Sequence, residues 1–379
     1  MKLVAKTFFG LENVLSDELH NLGATNITVA NRAVIFEGNI RMLYKVNYCV
    51  RTALSVLMPI KEFKIRSKDD LYSIGKSIRW EKFMNFKSTF SITPIVNSPL
   101  FNHSGYAGLM LKDAVADYFR EKTGARPSVN TINPDIAINL HISGTNVTVS
   151  LDSSGEPLFK RGYRQAFAEA PLNESLAAGM LLMSGWDGTV PLTDPMCGSA
   201  TIPIEAALIA KKIPAGKFRK SFGFQKWNNY DAQLFDQVKQ ECDSAIIELK
   251  TKISASDISS ESVKNSIINI RNAGLENDIT IETVDFKDVT ASGDTGMVMI
   301  NPPYGIRLNP DDLDSLYAMI GSKLKHSFEG YSAWILSSNI KALKKIGLKP
   351  SEKHILLNGA NECMLLKYDL YRGTRKNVK

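Results

Sequence analysis

Met297-Val298-Met299-Ile300-Asn301-Pro302-Pro303-Tyr304-Gly305 is an apolar run that stops abruptly in an amide, two prolines and an aromatic. Its length and composition are those of a buried parallel strand, and Pro302 must end it because proline donates no ladder hydrogen bond. Asn301 is thereby left at a carboxyl-terminal strand end, the side of an open α/β sheet on which ligands sit. The residue types say what such a place can hold. An amino group with two N–H donors finds two acceptors in the Asn301 side-chain oxygen and the Pro302 carbonyl. Two successive prolines fix φ and set that carbonyl before a ligand arrives. Tyr304 adds a flat face on which an unstacked base can lie. The plainer alternative is a strand and a Pro-Pro turn without chemistry, and the surrounding chain has to decide.

Working outward, the pattern from Val190 onward is strand–helix repeated, the mark of a parallel sheet with helices on both faces. Val190–Thr193 is the expected first strand. It ends in Asp194-Pro195-Met196-Cys197-Gly198-Ser199-Ala200-Thr201 and enters a helix from about Ile202 to Lys212. Gly198 permits a tight turn, and small Ser199 and Ala200 let backbone approach a ligand at the helix N-terminus. A nicotinamide site would want G-x-G-x-x-G and a P-loop Gly-Lys-Ser/Thr, and neither stands here. An acid at the strand end suits a cationic amino-acid group better than a pyrophosphate. The second strand, Ile253–Ala255, ends at Asp257-Ile258, where a carboxylate can accept both hydroxyls of a ribose. The third, Ile279–Val284, ends at Asp285-Phe286, an acceptor and a ring suited to an adenine. Each acid alone could be a helix N-cap, but three at successive strand ends are poorly explained by independent capping.

In that order, Asp194-Pro-Met-Cys-Gly-Ser, Asp257, Asp285 and Asn301-Pro-Pro-Tyr resemble the motifs of class I S-adenosylmethionine-dependent methyltransferases that modify base amino groups. The resemblance implies a Rossmann-like domain with a mixed seven-stranded sheet, whose antiparallel last strand would come from a hairpin around Asn358-Gly359. It implies cofactor binding by Asp194, Pro195, Cys197, Gly198, Ser199, Thr201, Asp257, Ile258, Asp285, Phe286 and Asn301, with Asn301, Pro302, Pro303 and Tyr304 catalytic. Ala200 stands where the family pattern, Asp-Pro-x-Cys-Gly-Ser-Gly-Thr, has its last glycine. Its β-carbon is expected to leave slightly less room beside the methionine moiety.

The first 165 residues hold 21 Lys and Arg against 14 Asp and Glu, so the whole net charge of +7 lies there, as a polyanion partner would favour. Residues 1–52 read as a small ferredoxin-like α+β module, with a helix over 40–52 whose Arg41, Lys45 and Arg51 face outward. Residues 53–155 form a second module: a strand at Leu54–Ile60, a helix from Lys68, an amphipathic helix over Tyr106–Lys122 with Leu109 on its buried side, and a hairpin at 136–151. This order, with Asn102-His103-Ser104 before the long helix, is similar to the THUMP RNA-binding domain. Lys76, Arg79 and Arg126 are its candidate RNA contacts. Residues 156–175 link this module to the methyltransferase domain at 176–379. In Leu158-Phe-Lys-Arg-Gly-Tyr-Arg164, Lys160, Arg161, Tyr163 and Arg164 can clamp a phosphate and stack a base, or can be a solvated linker. Residues 211–250 interleave Arg219 and Lys220 with Phe222, Phe224 and Trp227, which suits either single-stranded RNA or an insertion packing its own aromatics. Arg307, just past the catalytic run, can meet a substrate phosphate.

At 379 residues two or three domains are expected. Cys49, Cys197, Cys242 and Cys363 are widely spaced and the five histidines scattered, which suggests no zinc site, disulfide framework or triad. No run reaches membrane-spanning length, and a reducing cytoplasm and a monomer are expected. The whole chain resembles the THUMP-domain RNA methyltransferases, above all the large-subunit rRNA guanine-N2 family, which also shows Phe222-Gly-Phe224 with Trp227. That implies methylation of a guanosine N2 in structured RNA, most simply 23S rRNA. A tRNA guanine-N2 enzyme, an adenine-N6 enzyme acting on DNA or RNA, and a non-catalytic RNA-binding protein are the rivals.

Overall fold

Alternation in the first strand turns Leu3, Ala5 and Thr7 inward, and helices packed on that face close the core of the amino-terminal half. The computed structural model describes residues 1–166, 171–305, 309–359 and 361–371. In chain order come β1 (Lys2–Thr7), α1 (Glu12–Asn21), β2 (Thr25–Ala30), β3 (Ala33–Glu37), α2 (Ile40–Cys49) and β4 (Ala53–Lys64). They are followed by α3 (Lys68–Ser77), β5 (Thr89–Asn97), α4 (Ser104–Thr123), β6 (Ser128–Val129), β7 (Ile136–Ser143) and β8 (Asn146–Asp152). These strands form one sheet in the order β2-β3-β1-β4-β8-β7-β5-β6.

The arrangement β2-β3-β1-β4 is ferredoxin-like, so β4 completes the first module although the sequence assigns it to the second. On its other edge β4 pairs antiparallel with β8, from Leu57 opposite Asp152 to Lys64 opposite Asn146. One strand thus serves both modules. Two side chains run against expectation. Leu109 is 55% exposed on α4, whose buried face is carried by Ala107, Leu111, Ala114, Val115, Tyr118 and Phe119. Arg51 turns inward, donating to the carbonyls of Leu208 at 3.0 Å and Ile213 at 2.6 Å.

The second half contains α5 (Glu174–Met183), β9 (Leu192–Asp194), α6 (Thr201–Ala210), α7 (Ala232–Ser244), β10 (Ile253–Asp257), α8 (Ser260–Asn272) and β11 (Ile279–Thr283). Then come β12 (Gly296–Ile300), α9 (Pro310–Ser327), β13 (Tyr331–Ser337), α10 (Ile340–Leu343), β14 (Glu352–Asn358) and β15 (Asn361–Asp369). Their sheet runs β11-β10-β9-β12-β13-β15-β14. β9 to β13 are parallel, and β15 enters antiparallel between β13 and β14, the mixed sheet of class I methyltransferases. The order reverses between β10 and β12 on either side of β9, which opens a crevice above their carboxyl ends.

The halves meet through a buried seam. Leu11 of the first module packs into the core of the second half against Gly179, where a Cβ would fall 2.6 Å from it. Phe222, Phe224, Trp227 and Phe235 are all buried, with Phe224 stacked on Tyr44 at 4.4 Å and Phe235 edge-on to Tyr48. The aromatics of 211–250 therefore serve packing, and their rings are not offered to RNA. Arg161 and Tyr163 are each 1% exposed, with the Arg161 guanidinium on Glu205 at 3.2 Å and on the Arg51 carbonyl at 2.6 Å. The Tyr163 hydroxyl donates to the same Glu205 at 3.2 Å. The sequence places both either at RNA or in a solvated linker. They are instead committed to a carboxylate that sits, fully buried, midway along apolar α6.

Candidate active site

Every strand of the parallel set ends on the same rim. β12 is buried throughout and delivers Asn301 half-buried at its end. The Tyr304 hydroxyl donates to Asn301 Oδ1, and burial pushes that hydroxyl far above its usual pKa. The turn is braced from behind: the Tyr317 hydroxyl lies 3.2 Å from the Pro303 carbonyl, and Asn339 Nδ2 lies 3.4 Å from that of Tyr304.

After β9, Asp194 is 1% exposed and accepts from the Met196 N–H at 3.2 Å. Burial first, and Asp257 second, push its carboxyl well above the usual carboxylate value. Asp257 accepts from Gly198 N–H and Ser259 N–H, both at 2.9 Å, so it ties the β9–α6 turn to the end of β10. Asp285 accepts from Lys287 N–H at 3.1 Å and pairs with the Lys287 ammonium at 3.2 Å. Each acid thus takes the local backbone N–H that capping would assign it. All three also line one cavity.

That cavity measures about 1220 Å³. Its walls include Asp194, Pro195, Cys197, Gly198, Ser199 and Thr201 from the first turn, Asp257 and Ile258 from the second, and Asp285 and Phe286 from the third. Asn301, Pro302, Pro303 and Tyr304 close the far side. Phe286 is 2% exposed and packs on Phe328, so its ring belongs chiefly to the core beneath. Asn265 of α8, with Asn358 and Asn361 of the terminal hairpin, also reaches the wall. The sequence marks the hairpin residues only as a turn.

Ala200 departs from expectation. It adopts φ +63°, which costs a non-glycine residue about 1 kcal/mol or more, and it is fully buried in the hydrophobic core rather than on the cavity wall. The β-carbon therefore takes no room from a ligand.

These residues fit S-adenosylmethionine. The Asp194 carboxyl is held out of water with one hydrogen bond and its burial opposes ionisation, a cost that a cationic amino group in the cavity would offset. The position a Cβ of Gly198 would occupy has nothing within 4 Å, so backbone stands open to the cavity.

Of the basic residues expected at RNA, Arg79, Arg126, Lys160 and Lys220 are exposed. Lys160 pairs with Glu156 at 3.0 Å, and Lys76 pairs with Glu121. Arg219 is drawn inward, donating to the carbonyls of Pro157, Lys160 and Glu156 at 2.8 Å each, so it straps the linker down and is not a free phosphate ligand. Arg164, with its side chain 8% exposed, pairs with Glu174 at 2.8 Å. It is likewise withdrawn from solvent. Arg307 lies outside the described residues. Among the described residues no cluster of three or more His, Cys, Asp or Glu could hold a metal, and no helix is long and apolar enough to cross a membrane.

Comparison with known proteins agrees with this architecture. The profile of the RMKL-like methyltransferase domain matches residues 161–367, the RlmL ferredoxin-like domain 2–57 and the THUMP domain 66–152. The ribosomal RNA large subunit methyltransferase K/L of Syntrophotalea carbinolica is 37% identical over 98% of the chain, which spans only 54% of that protein. A candidate RNA methyltransferase of Synechocystis sp. is 36% identical, with 96% of this chain and 95% of that one covered. A candidate methyltransferase solved in complex with SAH superimposes with a TM-score of 0.88 at 29% identity, covering 98% of this chain and 99% of that one. The chain therefore belongs to the RMKL-like methyltransferase family, with a ferredoxin-like and a THUMP region ahead of its class I methyltransferase domain.

Proposed function

We propose that this chain methylates the exocyclic N2 amino group of a guanosine in large-subunit ribosomal RNA, in the cytoplasm. One observation carries the reading: the Asn301–Tyr304 turn and the Asp194–Thr201 turn open onto the same cavity. The THUMP match and the names of the relatives support RNA, and the names of the K/L relatives support large-subunit ribosomal RNA, with which a guanosine N2 target is consistent.

When bound, S-adenosylmethionine supplies an electrophilic sulfonium methyl and departs as a neutral thioether. The chain's own work is binding and aim. Asp194 faces the cationic amino group, and Asp257 keeps lone pairs for ribose hydroxyls beyond those used by its two backbone donors. A target base leaves its stack at a cost of a few kcal/mol, and the Tyr304 ring receives it. The base amino group then replaces the Tyr304 hydroxyl as donor to Asn301 Oδ1, while the Pro302 carbonyl takes the second N–H. Held by both acceptors, the amino nitrogen would be oriented for in-line attack on a methyl presented from the Asp194–Thr201 side of the cavity. Asn301 is neutral and cannot be a general base, so the proton goes to water after transfer.

The test is to incubate the protein with labelled methyl donor and total RNA or DNA, then to identify the nucleoside. N2-methylguanosine from the ribosomal RNA supports the reading. Label in N6-methyladenine, or RNA binding without any transfer, overturns it.

A further inference from the structure

The turn that enters α6 is held only in part by its own bonds, the Ala200 N–H donating to the Cys197 carbonyl at 2.8 Å. Its N-cap, Ala200, has no side chain able to bond the helix N–H groups and sits at φ +63°. The next two carbonyls are held from outside. Ser266 on α8 donates to the Gly198 carbonyl at 2.8 Å, and Asn269 Nδ2 on the same helix donates to the Ser199 carbonyl at 3.2 Å. From the linker Arg164 donates to Thr201 Oγ1 at 2.8 Å and Ser199 Oγ at 3.4 Å.

The two holders are themselves tied together. Asn269 Oδ1 accepts from the N–H groups of Gln165 at 3.0 Å and Ala166 at 3.1 Å, and its Nδ2 returns a bond to the Ala166 carbonyl at 3.0 Å. Arg164 is anchored by Glu174 at 2.8 Å and the Leu172 carbonyl at 3.0 Å. Asn269 is fully buried. A planar guanidinium can bond several acceptors at fixed angles, which a lysine ammonium cannot reproduce. The amide of asparagine supplies acceptor and donor at once, which aspartate cannot.

We propose that Arg164 and Asn269 are positioning residues of the cofactor turn: from the linker and from α8 they hold Ser199 and Thr201 and so preset the shape of the turn that receives S-adenosylmethionine. This rests on the function proposed above. Neither residue touches the base acceptors, so the effect falls on cofactor affinity and spares the transfer step.

The test compares Arg164→Lys and Asn269→Asp with the wild type and with Glu205→Gln, which disturbs the buried seam one helical turn beyond Thr201 without removing a bond to the cofactor turn. SAH binding is measured by calorimetry, KM for S-adenosylmethionine and kcat at saturation by methyl transfer, and melting temperature without ligand. Expected are an SAH Kd and cofactor KM raised about tenfold or more in both variants, with kcat at saturation within about threefold. Glu205→Gln should lower the melting temperature with SAH Kd unchanged. If the two variants only lose melting temperature as Glu205→Gln does, or lose kcat at unchanged Kd, the proposal is overturned. If Asn269→Asp does not fold, Arg164→Lys decides alone. Failure of the wild type to bind SAH overturns the functional reading itself, whereas wild-type binding with indifferent variants overturns only the clamp.

Discussion

The Tyr304 hydroxyl donates its hydrogen bond to Asn301 Oδ1, the acceptor assigned to the base amino group. Substrate entry is thus an exchange of donors on one oxygen, and ring and hydroxyl of Tyr304 have separable parts. Tyr304→Phe keeps the ring and frees the oxygen, so kcat/KM for RNA should stay within about threefold. Tyr304→Ala removes a stacking face worth about 1–3 kcal/mol, and kcat/KM should fall by about one to two orders of magnitude. Steady-state kinetics on both variants check this.

Asn301→Ala removes a preorganised acceptor and should lower kcat by about 10²–10³. Its side chain stands at the end of β12, apart from the β9–α6 turn, so SAH affinity should stay within about twofold. Calorimetry and single-turnover transfer on the same preparation separate the two.

Asp194 makes cofactor affinity depend on pH. Its carboxyl is raised well above 3.8 in the free protein, and only the ionised form attracts a cation. Affinity is therefore complete above that raised value and is lost as pH falls through it, in a window higher than an ordinary aspartate would give. SAH titrations across pH should show this decline in the wild type. Asp194→Asn should bind more weakly and lack it.

The Arg161–Glu205 pair joins the two halves. Glu205→Ala strands a buried guanidinium and should cost about 3–5 kcal/mol, read as a lower urea midpoint. The exposed Arg79, Arg126 and Lys220 are the phosphate contacts proposed for RNA. Arg79→Ala, Arg126→Ala and Lys220→Ala should each flatten the salt dependence of RNA binding by about one in log–log slope, with melting temperature unchanged.

The sequence makes the chemistry of strand ends legible because each strand there is short, apolar and stopped by a polar residue or proline. Asp194, Asp257, Asp285 and Asn301 could be placed on one rim before any contact was known, since parallel topology brings carboxyl ends together. What could not be read was which cations are inside. Arg161 and Arg164 look like surface residues because their partners, Glu205 and Glu174, are 44 and 10 positions away. A signal was present in Thr201-Ile-Pro-Ile-Glu-Ala-Ala-Leu-Ile-Ala210, where one acid in an otherwise apolar helix has to be neutralised by something. Likewise, Tyr44 and Tyr48 on α2 need cover, and Phe222, Phe224 and Phe235 supply it from far along the chain. The limits of the first module misled because β4 is long enough to pair on both edges, a property no local pattern reveals.

That shared strand has a mechanical outcome. With β4 bonded to β1 on one side and β8 on the other, the two leading modules cannot hinge apart without breaking a ladder, and Arg51 rivets the same plate to the far end of α6. On the proposed function, an RNA gripped on that plate would be measured off by a stiff ruler, and the nucleotide that meets Asn301 would be chosen by its distance from the grip.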